Sequence, residues 1–279
     1  LGALLLAAAV GLFALGLVQS PEWGWGSPAT LGALAASVVF AFLFVVRSRR
    51  HAAPVIDPRL LRVRSFMWAN ASMLIFNVAF AANTLIFVLW MQQVWGWSPL
   101  LTGLAIAPGP AMVPITVALT SRFLRRARPE RLASVGAVLV AVATVYIALS
   151  AGSEANYWLG YFPGTIVSGM GVGLASPNLM AAATHNLPPA QSSTGTGMST
   201  MARQIGYVIG ISMLFAIVGS MQALGPEVAF RTVLLVSVGV LLISSLTAFG
   251  VTTARHATPA APTRAPATPS PEEASEPTA

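Results

Sequence analysis

Apolar residues in this chain run in long blocks, and the stretches between them collect arginine, proline, glycine and tryptophan. A helix crossing roughly 30 Å of hydrocarbon needs about 17–25 predominantly apolar residues. Eight blocks meet that length: 1–18, 30–46, 66–91, 101–120, 132–150, 158–183, 205–221 and 231–251. The pattern therefore predicts an all-α, polytopic transmembrane helix bundle with eight spans. Residues 47–65 form an arginine-rich loop between the second and third spans. Residues 252–279, built from Ala, Pro, Thr, Ser and Glu, lack the apolar surface that would offset ordering and are expected to be a disordered tail.

Charge sharpens this picture. The chain of 279 residues is 56% hydrophobic and only 8% charged, far below the quarter or so typical of soluble domains. Arg47, Arg49, Arg50, Arg59, Arg62 and Arg64 fall in the loop at 47–65, and arginine at the bilayer centre costs about 2.5–3.5 kcal/mol on insertion scales. With the spans alternating in direction, fourteen of the fifteen arginines lie on one face and only Arg231 on the other. Trp23, Trp25, Trp90, Trp95, Trp97 and Trp158 gather on that second face, where indoles favour the lipid boundary. The arginine face is expected to be cytoplasmic, the tail with it, in a multi-pass protein of the cell membrane. The net charge of +7 is thus read as topology control, and no nucleic-acid partner is expected.

The candidate chemistry is that of binding. The eight blocks hold no Asp, Glu or Lys, so the acid/base pair that a membrane enzyme would need is missing from them. Cysteine is absent and His51, His185 and His256 are scattered, so neither a metal nor a cofactor is expected. In the third span Phe76, Phe80, Asn83, Phe87 and Trp90 recur at spacings of four and three, which places them on one helical face, with Asn70 and Asn77 on a neighbouring stripe. One reading is an aromatic cavity wall with hydrogen-bonding points, suited to bulky organic molecules. The other is packing, with asparagines bonding across helices for about 0.6 kcal/mol each. Pro108, Pro110 and Pro114, and Pro163 and Pro177 with their neighbouring glycines, make the fourth and sixth spans bendable. Asn178, next to Pro177, is a further candidate for a cavity amide, or equally a group that satisfies the carbonyls freed by the proline. Arg203 precedes the seventh block and is read as lying at the cytoplasmic mouth, as a topology anchor or a gating group.

Several stretches in order resemble the fourteen-helix drug/proton antiporter branch of the major facilitator superfamily. These are PEWGWGSP, PVIDPRLLRVRSFMWAN, LWMQQVWGWSPLLTGLAIAPGP, GMGVGLASPNL and LPPAQSSTGTGMSTMARQIGYVIGIS, and the resemblance runs from residue 1 to about 251. It implies two extra central helices (1–46) followed by a carboxy-terminal six-helix bundle (66–251). The turn SRFLRRARPERL, with Arg122, Arg125, Arg126 and Arg128, is similar to the superfamily's cytoplasmic gating loop but lacks its glycine and aspartate. The resemblance further implies proton-coupled efflux of hydrophobic or cationic organic compounds by alternating access, with the lipid bilayer, a small organic substrate and protons as partners. An amino-terminal six-helix bundle carrying the coupling acids is expected, and the chain, opening at Leu1 inside an apolar run, is expected to be truncated there. A non-transporting membrane scaffold or accessory subunit is the alternative.

Overall fold

A computed structural model of the protein describes residues 2–50, 60, 63–124, 126–185, 187, 191–221 and 225–251. Most of the arginine-rich loop, Arg125 and the tail thus lie outside the described residues. Proline at the first turn needs no hydrogen-bond donor and presets the helical φ, and five helices begin on one. The order is α1 (Gly2–Trp23), α2 (Pro28–Arg50), α3 (Arg64–Gln93), α4 (Pro99–Ile106), α5 (Pro108–Phe123), α6 (Pro129–Ser150), α7 (Phe162–Thr184), α8 (Ser192–Ser220) and α9 (Pro226–Phe249). Ser98 caps α4 by accepting from the Leu101 N–H at 3.3 Å. A five-residue π-turn, Tyr157–Tyr161, leads into α7. The regular structure of the described residues is helical throughout, and eight candidate spans are long and apolar enough to cross a membrane, α4 and α5 together making one of them.

The spans pack as the alternation requires. α6 runs antiparallel to α7 and α3 antiparallel to α9, whereas α3 lies alongside α8 and α5 alongside α7 in parallel. Glycine allows the tightest of these approaches. A Cβ on Gly210 of α8 would stand 2.1 Å from the Val78 carbonyl of α3, and one on Gly169 of α7 would stand 2.2 Å from the Gly109 carbonyl of α5. Both positions therefore hold backbone against backbone, the geometry favoured by small residues in membrane helices. Apolar packing stacks in three layers along the bundle, around Trp90 and Phe230, around Phe76 and Leu241, and around Phe66 and Met198.

Polar hooks fasten the bundle from inside. Ser244 of α9 exchanges hydrogen bonds with Ser72 of α3, each hydroxyl donating to the other's carbonyl at 2.9 Å. Its neighbour Ser245 does the same with Ser134 of α6, at 3.1 and 3.3 Å. α1 and α2 form a hairpin pinned by the Ser37 hydroxyl donating to the Ala9 carbonyl at 2.8 Å. That hairpin touches the six-helix bundle through α1 and α8, where a Cβ on Gly219 would meet the Pro21 ring at 2.2 Å. Only 17% of each hairpin span is buried, against 61% of α3, so the hairpin is an attachment and α3 a centre.

Several boundaries depart from the sequence expectation: α2 runs to Arg50, four residues into the stretch read as a loop, and α9 starts at Pro226 rather than 231. α1 continues to Trp23 with Pro21 inside it, where the apolar block stops at 18. More important, α8 begins at Ser192, within the stretch read as a polar loop, and is 29 residues long. In its polar start the Thr196 and Thr200 hydroxyls are satisfied within the helix, donating to the carbonyls four residues back at 2.9 and 3.0 Å.

Candidate functional site

A cavity of about 170 Å³ lies between α3, the α4–α5 junction and α7. α3 contributes Phe80, Asn83, Thr84 and Phe87; Ile106, Gly109, Pro110 and Val113 come from the broken fourth span. Val140 of α6, Tyr161 of the π-turn and Thr165, Ser168, Gly169 and Val172 of α7 complete the lining. The break between α4 and α5 follows from Pro108 and Pro110, which cannot donate to the carbonyls of Leu104 and Ile106. α5 leans on α7 through Gly169 and Gly173 and leaves a gap toward α3, and the cavity is that gap.

Asn83 is the polar residue on the α3 wall whose wiring is fixed from outside the cavity. Its Nδ2 donates to Thr144 Oγ1 on α6 at 2.9 Å, and Thr144 Oγ1 in turn donates to the Val140 carbonyl at 2.8 Å. Because the hydroxyl proton is committed to Val140, Thr144 can only accept from Asn83, which holds the amide nitrogen toward α6. Asn83 is 4% exposed, and among the described residues no donor reaches its Oδ1. An orphaned buried acceptor of this kind costs about 1–3 kcal/mol. The aromatic part of the wall is braced as well: Phe87 meets Tyr161 edge-on at 5.3 Å, and Phe80 meets Tyr207 of α8 edge-on at 6.2 Å.

Of the residues singled out in sequence, the structure gathers Phe80, Asn83 and Phe87 at the cavity and distributes the others. Asn70, Asn77 and Asn178 each turn back on their own helix, donating to the carbonyls of Phe66, Met73 and Leu174 at 2.7–2.8 Å. Leu174 is not the carbonyl that Pro177 frees, which is that of Gly173. Trp90 is 4% exposed and stacks on Phe230 of α9 at 4.1 Å, inside the core layer rather than at the cavity or the lipid boundary. Phe76 is fully buried, stacked 6.2 Å from Phe80. Sequence reasoning passed over Tyr161, Thr165 and Thr144. The first two lie in a stretch, YFPGTIVSG, whose glycines and proline drew attention instead, and Thr144 sits in an otherwise apolar block.

The candidate arginines differ in depth. Arg122 and Arg126 are exposed at the end of α5 and in the turn after it, with the Arg122 guanidinium 5.8 Å from the Phe123 ring. Arg125 lies outside the described residues. Arg203 stands eleven residues after Ser192 and seventeen before Ser220, about 16 Å along α8 from its start. It is the charged side chain set farthest from the ends of any described helix. The helix starts thirteen residues before the apolar block at 205, so Arg203 lies within α8 and just ahead of its apolar part. Arg231, the one arginine assigned to the tryptophan face, pairs with Glu227 one turn back, at 3.0 Å.

Known proteins share sequence with most of this chain. The cephamycin export protein CmcT of Amycolatopsis lactamdurans is 30% identical over 222 residues, covering 78% of this chain and 45% of that protein. The methylenomycin A resistance protein of Streptomyces coelicolor is 26% identical over 219 residues, covering 78% and 46%. A multidrug resistance protein B homolog of Mycobacterium tuberculosis is 27% identical over 221 residues, covering 77% and 40%. The chain spans less than half the length of each of these relatives. The sequence profile described as Major Facilitator Superfamily matches residues 1–211. With that match, the eight candidate spans and the all-helical bundle, this multi-pass membrane chain belongs to the major facilitator superfamily.

Proposed function

We propose that the complete gene product is an exporter of hydrophobic organic compounds, working by proton-coupled alternating access, and that this chain supplies one of its two moving halves. The observation that carries the reading is the cavity between α3, α5 and α7, with the Asn83 acceptor set among Phe80, Phe87 and Tyr161. Flat apolar area with a few polar points is the usual make-up of a site for small organic molecules. At about 170 Å³ it is smaller than the roughly 300–1,000 Å³ of drug-sized sites, as fits a site shared between two halves. The cavity lining carries no charged residue, so the acids for proton coupling and for holding a cationic substrate belong to the other half. Relatives named for cephamycin export and for methylenomycin A and multidrug resistance support export over a scaffold role.

On this reading α1 and α2 are the two extra central helices of the fourteen-helix branch, and residues 66–251 are the second six-helix bundle. The arginine face is cytoplasmic and the membrane is the cell membrane. Arg122 and Arg126 belong to the cytoplasmic gating loop. The test is efflux of fluorescent organic dyes by the complete gene product in energised vesicles, with and without a proton gradient. Wild-type efflux is expected to require the gradient. The Asn83→Leu variant is expected to lose several-fold in rate for some dyes at normal protein level. A variant that exports every dye at the wild-type rate removes Asn83 from the site, and gradient-independent efflux removes proton coupling.

A further inference from the structure

We propose that Arg203 receives a carboxylate, or another oxyanion, carried by a flat organic substrate whose ring rests against the Phe80 wall. The inference builds on the transport reading given above. The early part of α8 presents Thr196, Thr200, Arg203, Gln204 and Tyr207 along one accessible stripe, and farther on the stripe turns apolar with Ile211 and Phe215. Polar side chains in the body of a helix, just before its apolar part begins, are served by a partner or an aqueous route rather than by lipid. Among the described residues the ion pair formed is Arg231–Glu227, and no carboxylate answers Arg203.

The stripe meets the cavity wall at Phe80. Tyr207 lies one turn beyond Arg203 on the same face, where Cβ atoms four residues apart are about 6 Å from each other. Its ring meets Phe80 edge-on, and Phe80 is part of the cavity wall. Thr196 and Thr200 donate their hydroxyl protons to helix carbonyls, so Arg203 and Gln204 are the groups on the stripe that keep N–H donors for a ligand. A guanidinium presents paired N–H groups in the geometry of a carboxylate, and charge-assisted bonds of this kind are the strong ones. The uncharged aromatic lining next to it fits the ring that such an acid would carry.

The probes are naphthoate and its methyl ester, which share a ring and differ in charge. Binding is measured by equilibrium dialysis on the complete gene product in phosphatidylcholine vesicles. Wild type is expected to hold naphthoate about tenfold tighter than the ester, and Arg203→Gln to bring the ratio to near one. A ratio near one in wild type, a ratio that survives Arg203→Gln, or no binding of either probe overturns the proposal. A second measurement uses the unmutated protein: phenylglyoxal modification of Arg203, followed by peptide mass spectrometry, is expected to slow with naphthoate and not with the ester. Equal rates overturn it. Vesicles enriched in phosphatidylglycerol separate substrate from lipid, since loss of the preference there assigns Arg203 to a headgroup and overturns the substrate reading. Dye efflux by wild type tells the two hypotheses apart. If efflux persists while the acid preference fails, only the Arg203 assignment falls; if efflux is absent, the transport reading falls.

Discussion

An asparagine inside a membrane helix must place its amide somewhere, and in α3 and α7 three of four place it on their own backbone. Asn70, Asn77 and Asn178 donate to the residue four back, and Asn83 alone reaches another helix. Sequence spacing put the three α3 asparagines on plausible faces, and Asn178 stood out beside Pro177, but neither signal says which carbonyl or hydroxyl lies within 3 Å, so the lone cross-helix amide was not legible. The Asn83–Thr144 bond is expected to be worth about 0.6 kcal/mol, the average for such pairs in membrane proteins. A double-mutant cycle of Asn83→Leu and Thr144→Val, read by thermal unfolding in detergent, should return a coupling of that size. Zero coupling would mean that the amide is not held by Thr144. Trp90 teaches the same lesson for aromatics: its heptad-like spacing with Phe80 and Phe87 was readable, but Phe230, 140 positions along the chain, decides that it packs as core.

At the scale of elements, hydropathy placed the spans well and failed at the start of α8. Serines, threonines and glycines from 192 to 200 read as loop because their side chains are polar. The helix forms anyway, with hydroxyls bonded back to its own carbonyls and Gly195 tucked against Leu187 and Phe66. α5 is the opposite case, a helix foreseen in sequence whose support is narrow: it packs mainly on α7, through glycine contacts at Gly169 and Gly173. Gly169→Ala would bring a methyl to 2.2 Å from the Gly109 carbonyl. Overpacking of that kind costs about 1–3 kcal/mol, so the unfolding midpoint should fall, and α5 should move away from α7 in spin-label distance measurements. An unchanged midpoint would show that the two backbones are not in contact. Gly210→Ala, against the Val78 carbonyl, should destabilise similarly but leave the α5–α7 distance alone.

For the molecule as a whole, the arginine and tryptophan faces were readable because charge and indole preferences act on every loop at once. Those signals are sums over many residues, and the candidate site depends on single contacts. The orientation has a direct check, since the chain has no cysteine of its own. Cysteines at Ser121, exposed at the end of α5, and Ser153, exposed between α6 and the π-turn, should react with an impermeant thiol reagent from opposite sides of the membrane. Labelling of both from one side would dismantle the topology.

Ser244 and Ser245 are neighbours on one helix, yet each grips a different partner, Ser72 on α3 and Ser134 on α6. α9 therefore acts as a crossbar. Any displacement of α3 drags α9, and through it α6, so the wall bearing Phe80, Asn83 and Phe87 travels together with the strut that holds the Asn83 amide. Of the helices around the cavity, α5 and α7 stand outside that harness, but α7 packs on α6 and α3, so α5 is the one left freest to swing.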